Sequence, residues 1–527
     1  MQDRHGPEQS NRQVDHVVGD SRRLAGLRRM PALAVLTLWV LGFVTVVGPT
    51  SGRTAPAACG LASAAFCDNF DQGPSPVRGR AGDLDPTTWG VGHLAPSDFS
   101  STTANPVGAA PVPACKASFP QSSVYPNNDT LICDATGART PQLMTAVAIQ
   151  NYGNNSYLIR QPFDFANRTG KIVFDVDAVS VDTLAAYVAI DITEDPSPAP
   201  TFQEFGNFEA GPIPRNGLML KWNNNCSAGS SAITLGNTLL YTNYVARTIT
   251  PSFAVSGGAC ARTRQGALNH FEIQLSQQHI DIYASDFSTD EGQTYPNFRR
   301  IYSADLTMPF TRGYVHVAVR NHATIKYGYG PAWVYHWDNI GFDGPVISDW
   351  RAYELPDSNG NPGGAIRNLG YLLSDGTNGK PAGIYAPINQ VSSLQFHGVD
   401  VSGAVGARLS LNTYFNTITH TATGAWGWTF RFNGGTWRTR LLTPTEVQVI
   451  NSAGSTGNLS LLIDVPVADL RAGSNTFEML PVSAPMDYPP AIANVDLLLA
   501  LSDRSSSTPA SPANLRIVKS SLDEIVP

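Results

Sequence analysis

The chain is predicted to be all-β, folding as two antiparallel β-sandwich domains. Three observations lead there. Its 47 glycines and 38 prolines, set among abundant Thr, Ser, Val, Asn and Tyr, suit short strands joined by turns. Beyond residue 47 no long stretch repeats apolar residues at i, i+3, i+4 and i+7, the signature of an amphipathic helix. Short runs instead alternate apolar and polar residues, so that each buries one side and presents the other.

Residues 1–58 read as leader and linker. The apolar run 31–47, PALAVLTLWVLGFVTVV, follows Arg22, Arg23, Arg28 and Arg29 and precedes the small-residue segment SGRTAPAAC. A basic flank, an apolar core and small residues after it describe an export signal, and TAPAA suits cleavage. The expected product is secreted and extracellular. The run of about 17 residues approaches the ~20 that span a bilayer, so an uncleaved leader is the one route to the membrane. The domains would then stand outside. All six cysteines (Cys59, Cys67, Cys115, Cys133, Cys226, Cys260) follow the leader, where an oxidising compartment favours disulfides. Proximity in sequence suggests Cys59–Cys67, Cys115–Cys133 and Cys226–Cys260. With 15% charged residues and a net charge of −7, the chain has no basic field for nucleic acid.

Residues 59–135 are rich in loops, with PVGAAPVPAC and FPQSSVYPNNDT full of proline, serine and asparagine. Strands follow. In 171–178, Ile172, Phe174 and Val176 share one face and Asp175 and Asp177 the other. In 185–193, Val188, Ile190 and Ile192 alternate with Tyr187, Ala189 and Asp191. Residues 217–222 form a further strand. FEIQLSQ (271–277) and HIDIY (279–283) make a hairpin turning near Gln277 and Gln278. Residues 313–322 and 333–342 close the series. After Gly344–Pro345 the texture changes: turn-rich PDSNGNPGG, then a second strand series over 386–500 with WGWTFRFNGGTWRTRLL and NVDLLLALS, then a Ser/Pro-rich tail. The domains are therefore 59–345 and 346–527.

Four segments carry a family resemblance: FCDNFDQ (66–72), LDPTTWGV (84–91), the FEIQLSQQHIDIY hairpin and YHWDNIGFDGP (335–345). Through them residues 59–345 resemble the concanavalin A-like lectin/glucanase superfamily. The resemblance implies a jelly roll whose first and last strands lie side by side. It also implies a polysaccharide or glycan partner, bound or cleaved. The acidic strand of the glucanases, E-x-D-x-x-E or E-x-D-x-E, is missing. VPVADLRAGSNTFEM (465–479) gives residues 346–527 a resemblance to accessory carbohydrate-binding sandwiches of the galactose-binding-like type.

Candidate site residues follow from strand faces. In GYVHVAVRNH (313–322), Val315, Val317 and Val319 point one way, leaving Tyr314, His316, Arg320 and His322 on the other. Arginine neutralises a uronate carboxylate while histidine or tyrosine removes the adjacent proton, which suits a polysaccharide lyase. Asp191 shares a face with Tyr187 and precedes a loop bearing Glu204 and Glu209. A glycoside hydrolase needs two carboxyl groups about 5–10 Å apart, and these residues are the candidates. Trp222 is a stacking candidate, whereas Trp426, Trp428 and Phe430 on one strand face favour a core. Asp68 and Asp338, on the opening and closing strands, are candidates for structural calcium, as in similar sandwiches. The function expected is that of a secreted carbohydrate-active protein that binds a polysaccharide, with cleavage of glycoside hydrolase or polysaccharide lyase type. The alternative is a non-catalytic lectin or adhesion protein of the cell surface or matrix.

Overall fold

The computed structural model describes residues 58–75, 83–94, 130–133, 141–147, 154–176, 186–196, 214–225, 232–235, 238–250, 253–256, 268–288, 295–321, 333–347, 350–355, 383–384, 391–414, 427–452, 459–482 and 491–502. The leader lies outside this set. Among the described residues no helix is long and apolar enough to cross a membrane.

The described strands pair antiparallel. Residues 64–343 build two sheets. The 8-stranded sheet runs Arg299–Asp305, His279–Ser288, Leu268–Leu275, Gly170–Val176, Trp333–Asp343, Gln142–Val147, Thr130–Cys133, with Ala64–Asp68 also on Trp333–Asp343. The 10-stranded sheet centres on Gly217–Asn225, Ala186–Thr193, Arg312–Asn321 and Asn154–Ile159. Opening and closing strands are neighbours as expected, with Phe66 opposite Phe342 and Cys67 opposite Gly341. The predicted hairpin forms in register, Ile273 opposite Ile282.

Alternation explains the core between these sheets. Ile172, Phe174 and Val176 meet Val188, Ile190, Ile192, Val315, Val317 and Val319 in one buried cluster. Aromatic pairs complete it: Phe174 stacks on Phe271 at 5.1 Å and Phe66 meets Trp89 edge-on at 5.5 Å. Cys59 and Cys67 are bonded, with Cα atoms 5.7 Å apart. Cys133 is also in a disulfide, its partner outside the described residues.

Residues 350–501 build two further sheets. Trp350–Glu354, Ala491–Leu501, Ala404–Tyr414 and Ser460–Val465 form one with Gly383–Ile384, and Ser392–Val399, Gly473–Val482, Gly427–Phe432 and Arg438–Leu441 form the other. Leu409, Leu411, Leu497 and Leu499 pack against Trp428, Phe430, Phe432 and Phe477, placing Trp428 in the core as its strand face predicts. In VPVADLRAGSNTFEM the buried Asn475 bonds to the backbone of Arg471 and to Asn433, so this turn is a structural corner.

One α-helix stands among the described residues, Pro444–Ser452. Its start is a capping box: Glu446 N donates to Thr443 Oγ1 (3.2 Å) while Thr443 N donates to Glu446 Oε2 (2.8 Å). Proline at the first helical position is preorganised for the turn.

Candidate functional site

The predicted face of strand Arg312–Asn321 is covered. Ala189, Met219, Leu239, Tyr241 and Ala318, all from the 10-stranded sheet, belong to the same buried cluster as Leu355, Leu409 and Leu497 of the second sandwich. Strand Ala491–Leu501 is apolar almost throughout because both its faces are buried, Leu497 and Leu499 on one side, Asp496 and Leu498 on the other. Polar contacts tie the junction. Arg160 reaches Asp496 at 3.2 Å and Glu354 at 3.5 Å, with side-chain exposures of only 10, 0 and 8%. Ser410 Oγ donates to the Pro196 carbonyl at 3.0 Å. Tyr244 donates to Glu446, and burial with that carboxylate beside it pushes the phenol up.

This cover decides how the predicted residues sit. His316 and Asp191 are 0% exposed, and Tyr314 is buried. His316 Nε2 lies 2.9 Å from Thr193 Oγ1 and Nδ1 lies 3.4 Å from Ser156 Oγ, so both nitrogens face hydroxyls that can donate or accept. His316 and Asp191 are directly opposite on adjacent strands. They come together, but in an interface, not a groove. The side chains of Tyr187, Trp222 and Arg320, and residues Glu204, Glu209 and His322, lie outside the described set. At the start of the acidic loop, Glu194 pairs with Arg215 at 2.6 Å, and burial pushes the Asp195 carboxyl up.

The aspartates expected to hold calcium occupy opposite sides of their sheet. Asp68 shares the inward face of Phe66; it accepts from Trp89 Nε1 at 2.8 Å and Phe70 N at 2.9 Å, and burial pushes its carboxyl up. Asp338 pairs in register with Asp175 on the outward face. The two do not converge, so they do not fit the several-oxygen shell that calcium requires. Among the described residues no group of three or more His, Cys, Asp or Glu has metal-holding geometry.

Among the described residues, partly exposed side chains gather on the outward face of the 8-stranded sheet at its three outermost strands. Four rings gather there. His270 lies flat under Tyr295, ring centroids 3.7 Å apart and planes within 11°. Phe298 packs 5.7 Å from both His270 and Tyr283, stacked on the latter, and keeps 40% of its surface in solvent. The floor is rigid. Buried His270 sits 2.7 Å from Asp175, whose other oxygen accepts from Asn339 at 3.0 Å. The Pro296 carbonyl accepts from Asp286 N at 2.8 Å, pinning the segment that carries Tyr295 and Phe298.

Paired charges surround the corner. Asp286 accepts from Asn297 at 2.6 Å and Arg299 at 3.4 Å; Arg300 meets Asp281 at 3.4 Å; Lys171 meets Glu272 at 2.9 Å. His279 lies 2.7 Å from Asp305, and that hydrogen bond holds its imidazolium above the usual histidine range, with Asp281 adding to it. Sequence reasoning passed over this corner because Tyr295 and Phe298 stand in an irregular segment without periodicity. The available signal was the two aromatics of TYPNFRR just before an alternating strand.

No family model and no curated protein sequence matches the chain. Among solved structures, it overlaps the Emp47p carbohydrate recognition domain over 45% of this chain and 98% of that one, at 12% identity and TM-score 0.25. The VIP36 exoplasmic/lumenal domain in its Ca2+/Man3GlcNAc-bound form overlaps over 42 and 86%, at 10% identity and TM-score 0.26. The legume lectin-like domain from Entamoeba histolytica does so over 41 and 87%, at 8% identity and TM-score 0.28. These structures are lectin-like, of concanavalin A-like fold. At such TM-scores the likeness carries nothing over to a ligand of this chain.

Proposed function

We propose that this is an extracellular, non-catalytic glycan-binding protein whose binding surface is the open face of the 8-stranded sheet. The observation that carries the reading is the four-ring corner of His270, Tyr295, Phe298 and Tyr283, with Phe298 40% exposed on a hydrogen-bonded floor. Aromatic rings offer the apolar C–H face of a sugar a large contact area, and flanking carboxylates and amides supply partners for its hydroxyls. Burial of His316 and Asp191 beneath the second sandwich argues against turnover on the other sheet, because a general acid or base must reach its substrate. The galactose-binding-like character of 346–527 and secretion through the leader are part of this reading. A glycan array probed with the full chain, alongside a reducing-end and unsaturated-product assay on the bound glycans, tests it. Binding without product is the expected result. Release of reducing ends or unsaturated ends would restore the hydrolase or lyase reading, and no binding at all would remove the glycan reading.

A further inference from the structure

The charges around the aromatic corner select among glycans. Resting on the glycan-binding reading, we infer that the corner takes an uncharged pyranose chain, stacked on Phe298 and Tyr283, and excludes uronate- or sulfate-bearing chains. Each described cation near the rings is already engaged: Arg299 by Asp286, Arg300 by Asp281 and Lys171 by Glu272. An anionic sugar would have to settle beside these carboxylates, and juxtaposed like charges are unfavourable. His279 is engaged in the same way, 2.7 Å from the exposed Asp305.

An uncharged chain meets none of this opposition. The stacked pair Tyr283–Phe298 gives it an apolar shelf 5.7 Å between centroids. Beside the shelf, Asp286 accepts from Asn297, and a carboxylate accepts a sugar hydroxyl as a charge-assisted bond without needing charge on the sugar. Specificity here comes from a penalty built against the wrong ligand as much as from contact with the right one. This ligand class differs from the acidic glycan expected of strand Arg312–Asn321, where His316 is buried.

Calorimetric titration of the full chain with cello-, xylo- and manno-oligosaccharides, and in parallel with oligogalacturonates, tests the inference. At least one neutral series should bind with an affinity that salt leaves unchanged, and the uronates should not. Phe298→Ala should weaken that binding about tenfold, the equivalent of about 1.4 kcal/mol, while Phe298→Tyr retains it. Uronate binding that falls with added salt and with Phe298→Ala would overturn the inference yet leave a glycan site at this corner. Indifference of every glycan to Phe298→Ala, in a variant with unchanged melting temperature, would remove the site itself.

Discussion

Arg160→Met is the sharpest test of how the two sandwiches are joined. The guanidinium leaves strand Asn154–Ile159 at its end, donates to the Pro86 carbonyl through Nε at 2.9 Å, and faces Asp496 and Glu354 across the junction. Methionine keeps much of the apolar stem and removes the charge. Breaking a buried pair by removing one partner costs about 3–5 kcal/mol, because the remaining charge stays in a low-dielectric site. Two carboxylates face this one cation, but both keep other contacts. The expected loss is therefore near the lower end, about 3 kcal/mol. Urea denaturation followed by tryptophan fluorescence measures it. Adding Asp496→Asn to Arg160→Met should recover part of the loss, since the stranded charge goes with it. A cost below about 1 kcal/mol, the scale of an exposed pair, would refute the view that this ion triad is desolvated and holds the junction.

Other expectations follow from the same packing. His279 should titrate above the ordinary histidine range by NMR, and Asp305→Asn should lower it. Its folded value is raised, so its stabilising contribution is complete below the unfolded value and is lost as pH rises through the folded one. Replacing Cys59 and Cys67 by alanine should cost about 2–3 kcal/mol by loop-closure entropy, measurable as a lower urea midpoint, because the bridge spans a sequence separation of 8. Exported protein should show no free thiol when denatured. Gly427→Ala should destabilise by more than about 1 kcal/mol, read by thermal unfolding, since an added Cβ would collide with the Arg440 carbonyl and φ there is +153°.

The all-β class, the hairpin through Gln277 and Gln278 and the inward valines of Arg312–Asn321 were legible in the chain, while the pairing of first and last strands was implied by the family resemblance. Period-2 alternation is local: each residue's side is decided by its neighbours, and a one-residue slip would expose the whole apolar set. The capping box of Thr443 and Glu446 was equally local, yet its helix of nine residues is too short to stand out by periodicity.

Only the tertiary structure decided what lies over each outward face. Tyr314, His316 and Asp191 read as a polar, solvent-facing row, and alternation cannot distinguish a face open to water from one sealed by another sheet. The sealing depends on side chains from far along the chain, Asp496 against Arg160 and Leu355 in the same buried cluster as Ala318, whose meeting no local pattern encodes. The aromatic corner escaped notice for the same reason: Tyr295 and Phe298 stand in irregular backbone, and they become a surface only where Asp175 and Asn339, from two other strands, hold His270 beneath them. Composition and periodicity determine which side of a strand avoids water; the long-range packing of sheets determines which polar side is left to meet a ligand.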